Sequence, residues 1–146
     1  MIKRLGLLLV GLLLTTNAYS AGIDSYSKAV LHMDGADGAQ VFTDSSLVPK
    51  AVTAVQHAQT DTGVVKVGFN QSGLFDGTDD ELTMLDSDDW SLSTGDWTID
   101  FWAYFTSTAN QIGLCGQAVD ADNFVIIYFA SAPADTLYFR AQTGNV

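Results

Sequence analysis

The chain has 146 residues, with 17 acidic groups against six basic ones and a formal net charge of −11 at pH 7. Such a surface repels a polyanion, and no Lys/Arg patch exists to displace counterions from phosphates, which excludes nucleic acid as a partner. A lone cysteine, Cys115, excludes an internal disulfide, so a chain of single-domain length must hold its core without staples.

The chain opens with Met1-Ile-Lys-Arg4, an apolar run from Leu5 to Leu14, and the small-residue ending Ala18-Tyr-Ser20-Ala21. This is the pattern of a secretory signal peptide over residues 1–20, cleaved after Ser20. The apolar run is about half of the roughly 20 residues that a membrane span requires. The expected location is therefore secreted, whether extracellular, periplasmic or at the cell surface, with no stable membrane insertion once the leader is removed. Beyond the leader all the acidic groups face only Lys28, Lys50, Lys66 and Arg140.

Residues 21–146 read as one nearly all-β domain, because short apolar runs alternate with Gly and Asp/Ser/Thr/Asn clusters and no stretch sustains a 3.6-residue period. In chain order the expected strands are Lys28–Met33, Gln40–Thr43, Ala51–Val55, Val64–Phe69, Gly73–Phe75, Glu81–Leu85, Trp97–Thr106, Gln111–Cys115, Asn123–Ala130 and Thr136–Gln142. His32 alternates with Leu31 and Met33 and reads as a half-buried structural histidine. Within Trp97–Thr106, Trp97, Ile99, Phe101, Ala103 and Phe105 alternate with Thr98, Asp100, Trp102 and Tyr104. Both sides carry large rings, so this strand is expected to be covered on both faces, inside a two-sheet sandwich. Cys115 sits in the run Ile112-Gly-Leu-Cys-Gly116 and reads as a small buried hydrophobe. The run Phe124-Val-Ile-Ile-Tyr-Phe129 looks central, and Leu137, Phe139 and Ala141 alternate with polar neighbours as in a half-exposed strand. The closing Thr143-Gly-Asn-Val146 is a hairpin signal with no strand after it, which suggests a truncated reading frame.

Four segments carry a resemblance: Val30-Leu-His-Met-Asp-Gly35, Phe42-Thr-Asp-Ser-Ser46, Leu74-Phe-Asp-Gly77 with Asp80-Glu-Leu82, and Thr94-Gly-Asp-Trp-Thr-Ile-Asp-Phe-Trp102. In order and spacing the chain resembles the laminin-G-like, concanavalin A-like lectin/glucanase domains, over roughly residues 28–142. The resemblance is strongest to copies in secreted bacterial proteins and in phage tail or structural proteins. It implies an antiparallel two-sheet jelly-roll sandwich whose concave face binds carbohydrate or a cell-surface protein. Three functions follow from it, in order: a non-catalytic carbohydrate-binding domain, a structural or adhesive module of a surface or phage tail assembly, and a glycoside hydrolase of the same fold. Fold alone does not choose among them.

The hydrolases of this fold carry Glu-x-Asp-x-Glu on a strand, where alternate carboxylates share one face and act as nucleophile and general acid. The nearest segment here is Asp96-Trp-Thr-Ile-Asp100, with Thr98 in the middle, and the chain's only glutamate is Glu81 beside a turn. No catalytic constellation is found. Aspartate-rich turns at 34–38, 76–81, 86–89 and 120–123 offer hard oxygen ligands suited to calcium, although Asp-Gly pairs also form turns by themselves. The resemblance implies a structural calcium whose matching positions here are Asp34 and Asp44, with a further ligand expected beyond Val146. For a sugar, Trp102 and Tyr104 share a face with Asp100 and supply rings for stacking and a carboxylate for hydroxyls. Rings on a central strand are more often core, so burial of Trp102 and Tyr104 is the competing expectation.

Overall fold

A computed structural model describes residues 23–92, 95–107, 111–130 and 135–144; the expected signal peptide lies outside the described residues. The chain is all-β, and every strand pair is antiparallel. The strands are β1 (Val52–Val55), β2 (Gln59–Asp61), β3 (Ser72–Leu74), β4 (Glu81–Met84), β5 (Ile112–Asp120), β6 (Asn123–Ala130) and β7 (Thr136–Gln142), with a 3-10 turn at Asp88–Trp90 before β5. They pair as β1 with β4, β2 with β3, and β5-β6-β7 as a three-stranded sheet. Among the described residues no helix is long and apolar enough to cross a membrane.

The largest sheet follows directly from its sequence. At the β5–β6 turn the Asp120 carboxylate accepts from the Asp122 N–H at 2.9 Å and from Asn123 Nδ2 at 2.9 Å. Those hydrogen bonds hold the Asp120 carboxyl below its ordinary range and close the hairpin. Register shifts beside Gly113 and Ala118 let the nine residues of β5 follow the eight of β6. β6, apolar on both sides, is the central strand, and all its residues are half-buried. Its Ile127 and Phe129 oppose Phe139 and Leu137 of β7, and Tyr128 opposes Tyr138 on the other face with ring centroids 5.1 Å apart.

Four expected strands form differently. Lys28–Met33 and Gln40–Thr43 form no ladder: a single bridge, Leu31 to Asp44, joins the first to the residue after the second, where the Ser45 N–H donates to the Val30 carbonyl at 2.8 Å and the Val30 N–H to Asp44 Oδ1 at 2.9 Å. Val64–Phe69 is a turn: Gly68 takes φ +93° and the Phe69 N–H donates to the Lys66 carbonyl at 3.0 Å. Trp97–Thr106 pairs with no strand among the described residues. β2, conversely, forms from polar Gln59-Thr-Asp61, which carries no apolar alternation. His32 and Cys115, expected half-buried and buried, are both exposed. Cys115 lies in β5 opposite Ile127, and desolvation by the atoms around it still pushes its thiol above the ordinary range, away from thiolate reactivity.

Among the described residues the fully enclosed interior is small and largely polar: Phe42 and Ala58 with Asp44, Ser46 and Thr60. Thr60 donates its hydroxyl to the Ala36 carbonyl, its N–H donates to the Ala39 carbonyl at 2.8 Å, and its carbonyl accepts from Gly38 N at 2.8 Å. The loop over residues 35–39 thus wraps β2, and Gly35 must lack a side chain there, since a Cβ would lie 2.9 Å from Thr60 Oγ1. Asp44, only 3% exposed, accepts four hydrogen bonds: Val30 N and Ser46 N on Oδ1, both at 2.9 Å, and Ser46 Oγ at 2.9 Å and Lys50 N at 2.8 Å on Oδ2.

Burial alone would raise the Asp44 carboxyl, but the four donors outweigh it and bring the group below its usual range. Its contribution to stability is therefore complete above the unfolded value, about 3.9, and is lost as pH falls through the lower folded value. Asp44→Asn, which turns an amide donor toward groups that already donate, is expected to cost about 1–3 kcal/mol. Urea unfolding as a function of pH checks both: the variant should be less stable near neutrality and lack the part of the acid slope that Asp44 supplies.

Candidate functional site

Two places collect chemistry-bearing side chains. The first is where the β1–β4 pairing brings the turn after β1 against the turn before β4. Val55 opposes Glu81, and Gln56 at φ +56° reverses the chain, which sets His57 beside Asp80. Gly77, at φ +79°, and the Thr78 N–H donating to Asp76 Oδ1 at 2.8 Å fold Asp76 and Asp79 toward the same point. One ligand atom from each of His57, Asp76, Asp79 and Asp80 then lies within 4.8 Å of the others.

The members have unequal roles. The Asp80 side chain is 2% exposed; its Oδ1 accepts from His57 N at 2.7 Å and its Oδ2 from Asp76 N at 2.8 Å. Asp80 therefore ties the two turns together, while the His57 ring is 80% exposed, with Nδ1 4.0 Å from Asp80 Oδ1. Asp79 is exposed at the rim. Three carboxylates and an imidazole converging at a surface form a donor set for a divalent cation, mainly of hard oxygen character. The aspartates of this group lie in a turn picked out by composition, whereas His57, some twenty residues upstream, carried no ligand spacing; only the β1–β4 register reveals it.

The residues matched to a calcium site by resemblance are placed apart from this group. The four donors to Asp44 occupy the lone-pair positions of its two oxygens, which leaves none for a cation. Asp34 is exposed and makes no hydrogen bond or ion pair among the described residues. The aspartates at 86–89 and 120–123 are turn and clasp groups. Asp120 closes its hairpin, and Asp89 binds Lys28 Nζ at 3.1 Å and Lys50 Nζ at 2.8 Å, which hold its carboxyl low.

The second place is the segment 97–105. It keeps its two-sided character without becoming a strand. Trp97 stacks on Phe139 at 5.7 Å and Phe105 on Phe129 at 4.9 Å, so the odd side lies over the β6–β7 face. Trp97, Ile99 and Phe101 are 45%, 37% and 43% exposed, whereas Trp102 and Tyr104 are 74% and 75% exposed. The even side, with Asp100, therefore faces water, and the expected covering of both sides does not occur. Lys66 Nζ sits 3.5 Å from the Trp102 ring centroid and 4.9 Å from that of Phe69, a cation–π contact that fixes one face of the indole. Asp96, the other carboxylate of the Asp-x-x-x-Asp spacing, is also exposed and off any paired strand.

On the opposite face of the β5-β6-β7 sheet an open groove of about 580 Å³ is lined by Gln117, Asp120, Phe124, Ile126, Tyr128 and Arg140. The Arg140 guanidinium lies 5.0 Å from the Phe124 ring centroid and donates to Gln142 Oε1 at 2.7 Å. No protein-family model, curated protein or solved structure matches this chain.

The division of labour in the acidic cluster is checked by two substitutions. Asp80→Ala leaves two backbone N–H groups without their acceptor and should cost about 1–3 kcal/mol in urea unfolding. Asp79→Ala, at the rim, should stay within about 0.5 kcal/mol of the parent chain.

Proposed function

We propose that the chain is a secreted, non-catalytic binding domain of the laminin-G-like jelly-roll type, that it holds carbohydrate on the even side of residues 97–105, and that calcium stabilises it. The observation that carries the carbohydrate reading is the pair of rings, Trp102 and Tyr104, presented to water two positions apart, with Asp100, also exposed, two positions before them. An exposed ring binds the apolar face of a sugar, and a neighbouring carboxylate accepts from its hydroxyls. Lys66 covers one face of the indole and leaves the other as the platform. The all-β antiparallel build and the order of the sequence motifs support the jelly-roll assignment. The leader pattern at residues 1–20 supports secretion.

Calcium is assigned to His57, Asp76, Asp79 and Asp80, because their ligand atoms converge and carboxylate oxygens suit a hard cation. It would pin the turn before β4 to the turn after β1. An adhesive module that recognises a protein is the second reading, and the exposed Leu137 and Phe139 of β7 favour it.

A glycan array probed with the parent chain and with Trp102→Ala and Tyr104→Ala tests the carbohydrate reading. Binding by the parent, at least tenfold weaker in each variant with thermal midpoints unchanged, is the expected result; a parent that binds no glycan rejects it and leaves the protein-recognising module. Calcium is tested separately by thermal melting with the ion and with a chelator. The midpoint should rise with calcium in the parent and not in an Asp76→Asn/Asp79→Asn double variant, and identical midpoints in the parent would reject the metal assignment.

A further inference from the structure

The chain holds three Asp-Gly pairs, Asp34-Gly35, Asp37-Gly38 and Asp76-Gly77. Such a pair can close on itself: the glycine amide nitrogen attacks the aspartic acid γ-carbon, and the acid hydroxyl leaves with the amide proton as water. The product is a five-membered succinimide. Water then opens the ring at either carbonyl, which returns aspartate or leaves isoaspartate, whose main chain runs through the former side-chain carbon. Glycine favours the attack because no Cβ shields its nitrogen.

The first two pairs lie in a tandem repeat, Asp34-Gly-Ala-Asp37-Gly-Ala39, so their local chemistry is identical. Only the fold distinguishes them. At the second pair, Asp37 Oδ1 accepts from the Thr62 N–H at 3.0 Å and from the Thr62 hydroxyl at 3.1 Å, and the Gly38 N–H donates to the Thr60 carbonyl at 2.8 Å. Both reacting groups are thus tied to β2 and the residue after it. At the third pair the Asp76 carboxylate is held by the Thr78 N–H at 2.8 Å. At the first pair neither group is tied: among the described residues the exposed Asp34 side chain makes no hydrogen bond or ion pair, and the Gly35 N–H has no acceptor.

Isomerisation at Asp34 would act on a tight join. Gly35 packs so closely on β2 that an added Cβ would lie 2.9 Å from Thr60 Oγ1 and 3.1 Å from Thr60 Cγ2. The residues after it close the loop onto Thr60 through the Ala36 carbonyl, the Gly38 N–H and the Ala39 carbonyl. An extra main-chain carbon just before Gly35 displaces that set of contacts. We propose that Asp34-Gly35 is a site of spontaneous isoaspartate formation, and that the modification loosens the 35–39 loop from β2.

The full chain, held folded at mildly acidic pH and physiological temperature, is sampled over time and digested with an endoproteinase that cuts before aspartate but not before isoaspartate. Electron-transfer mass spectrometry places the isomer, and the same chain in urea gives the intrinsic rates. In urea Asp34 and Asp37 should isomerise alike. In the folded chain Asp34 should isomerise about tenfold faster than Asp37, the factor that one hydrogen bond of ordinary strength sets on a rate. Asp34→Glu, whose longer side chain would have to close a six-membered ring, should accumulate no isomer at that position and keep the parent's thermal midpoint. The isomerised fraction should melt below the parent and lose hydrogen-exchange protection at the Gly38 and Thr60 amides. Equal rates at Asp34 and Asp37 in the folded chain would overturn the site, as would an Asp34 that reacts only in urea. An isomerised fraction with the parent's midpoint and protection would overturn the loosening.

Discussion

A buried carboxylate organises the first half of this molecule. Asp44 draws the Val30 N–H, the Ser46 N–H and hydroxyl, and the Lys50 N–H onto two oxygens, and so fixes three stretches of chain that no sheet ladder joins. A buried charge is tolerated only when its lone pairs are filled, and here the backbone fills them. Placing Lys50 has a second effect. Its ammonium donates to the Lys28 carbonyl at 2.9 Å, pairs with Asp89, and lies 4.8 Å from the Trp90 ring centroid. Trp90 in turn donates its Nε1–H to the Leu85 carbonyl at 3.0 Å. The hub therefore reaches from the first described residues to the 3-10 turn by polar contacts, which suits a chain with few cations and a small apolar interior.

The same economy explains most of the acidity. Asp24, Asp37, Asp61, Asp76 and Asp120 each accept from a backbone N–H, at the turns or loop contacts where the chain would otherwise leave donors unpaired. An acidic composition is thus compatible with a surface built of Asx turns, and it says little about metal by itself. The group around Asp80 differs because side chains from two separate turns converge there. A cation at that point would reinforce a join that the Asp80 hydrogen bonds already make.

The second half is organised by rings. The β5-β6-β7 sheet has a central strand apolar on both faces, and one of those faces receives Trp97 and Phe105. A segment attached by side chains alone leaves its backbone groups and its far rings open. The open rings underlie the ligand platform, and they arise from one fact, the absence of a ladder partner for residues 97–106 among the described residues.

β6 and β7 were legible in the sequence to their end residues, and β1, β3 and β4 to within a residue or two, because apolar alternation bounded by turn residues is a local signal. β2 was not legible: Thr60 is buried for its hydrogen bonds to a loop over twenty residues away, and polar burial leaves no periodic trace. The two-sided pattern of 97–105 was visible, and so were Asp100, Trp102 and Tyr104 as one side of it. Whether that side is core or surface depends on which other segments arrive to cover it. Likewise the aspartates of 76–80 were visible as a turn, but His57 joins them only through the β1–β4 register. Composition and alternation by themselves determined the all-β class, the acidic surface and the extents of β6 and β7. The burial of Asp44, the exposure of Trp102 and the gathering around Asp80 were decided by tertiary structure, because each depends on contacts between residues distant in sequence.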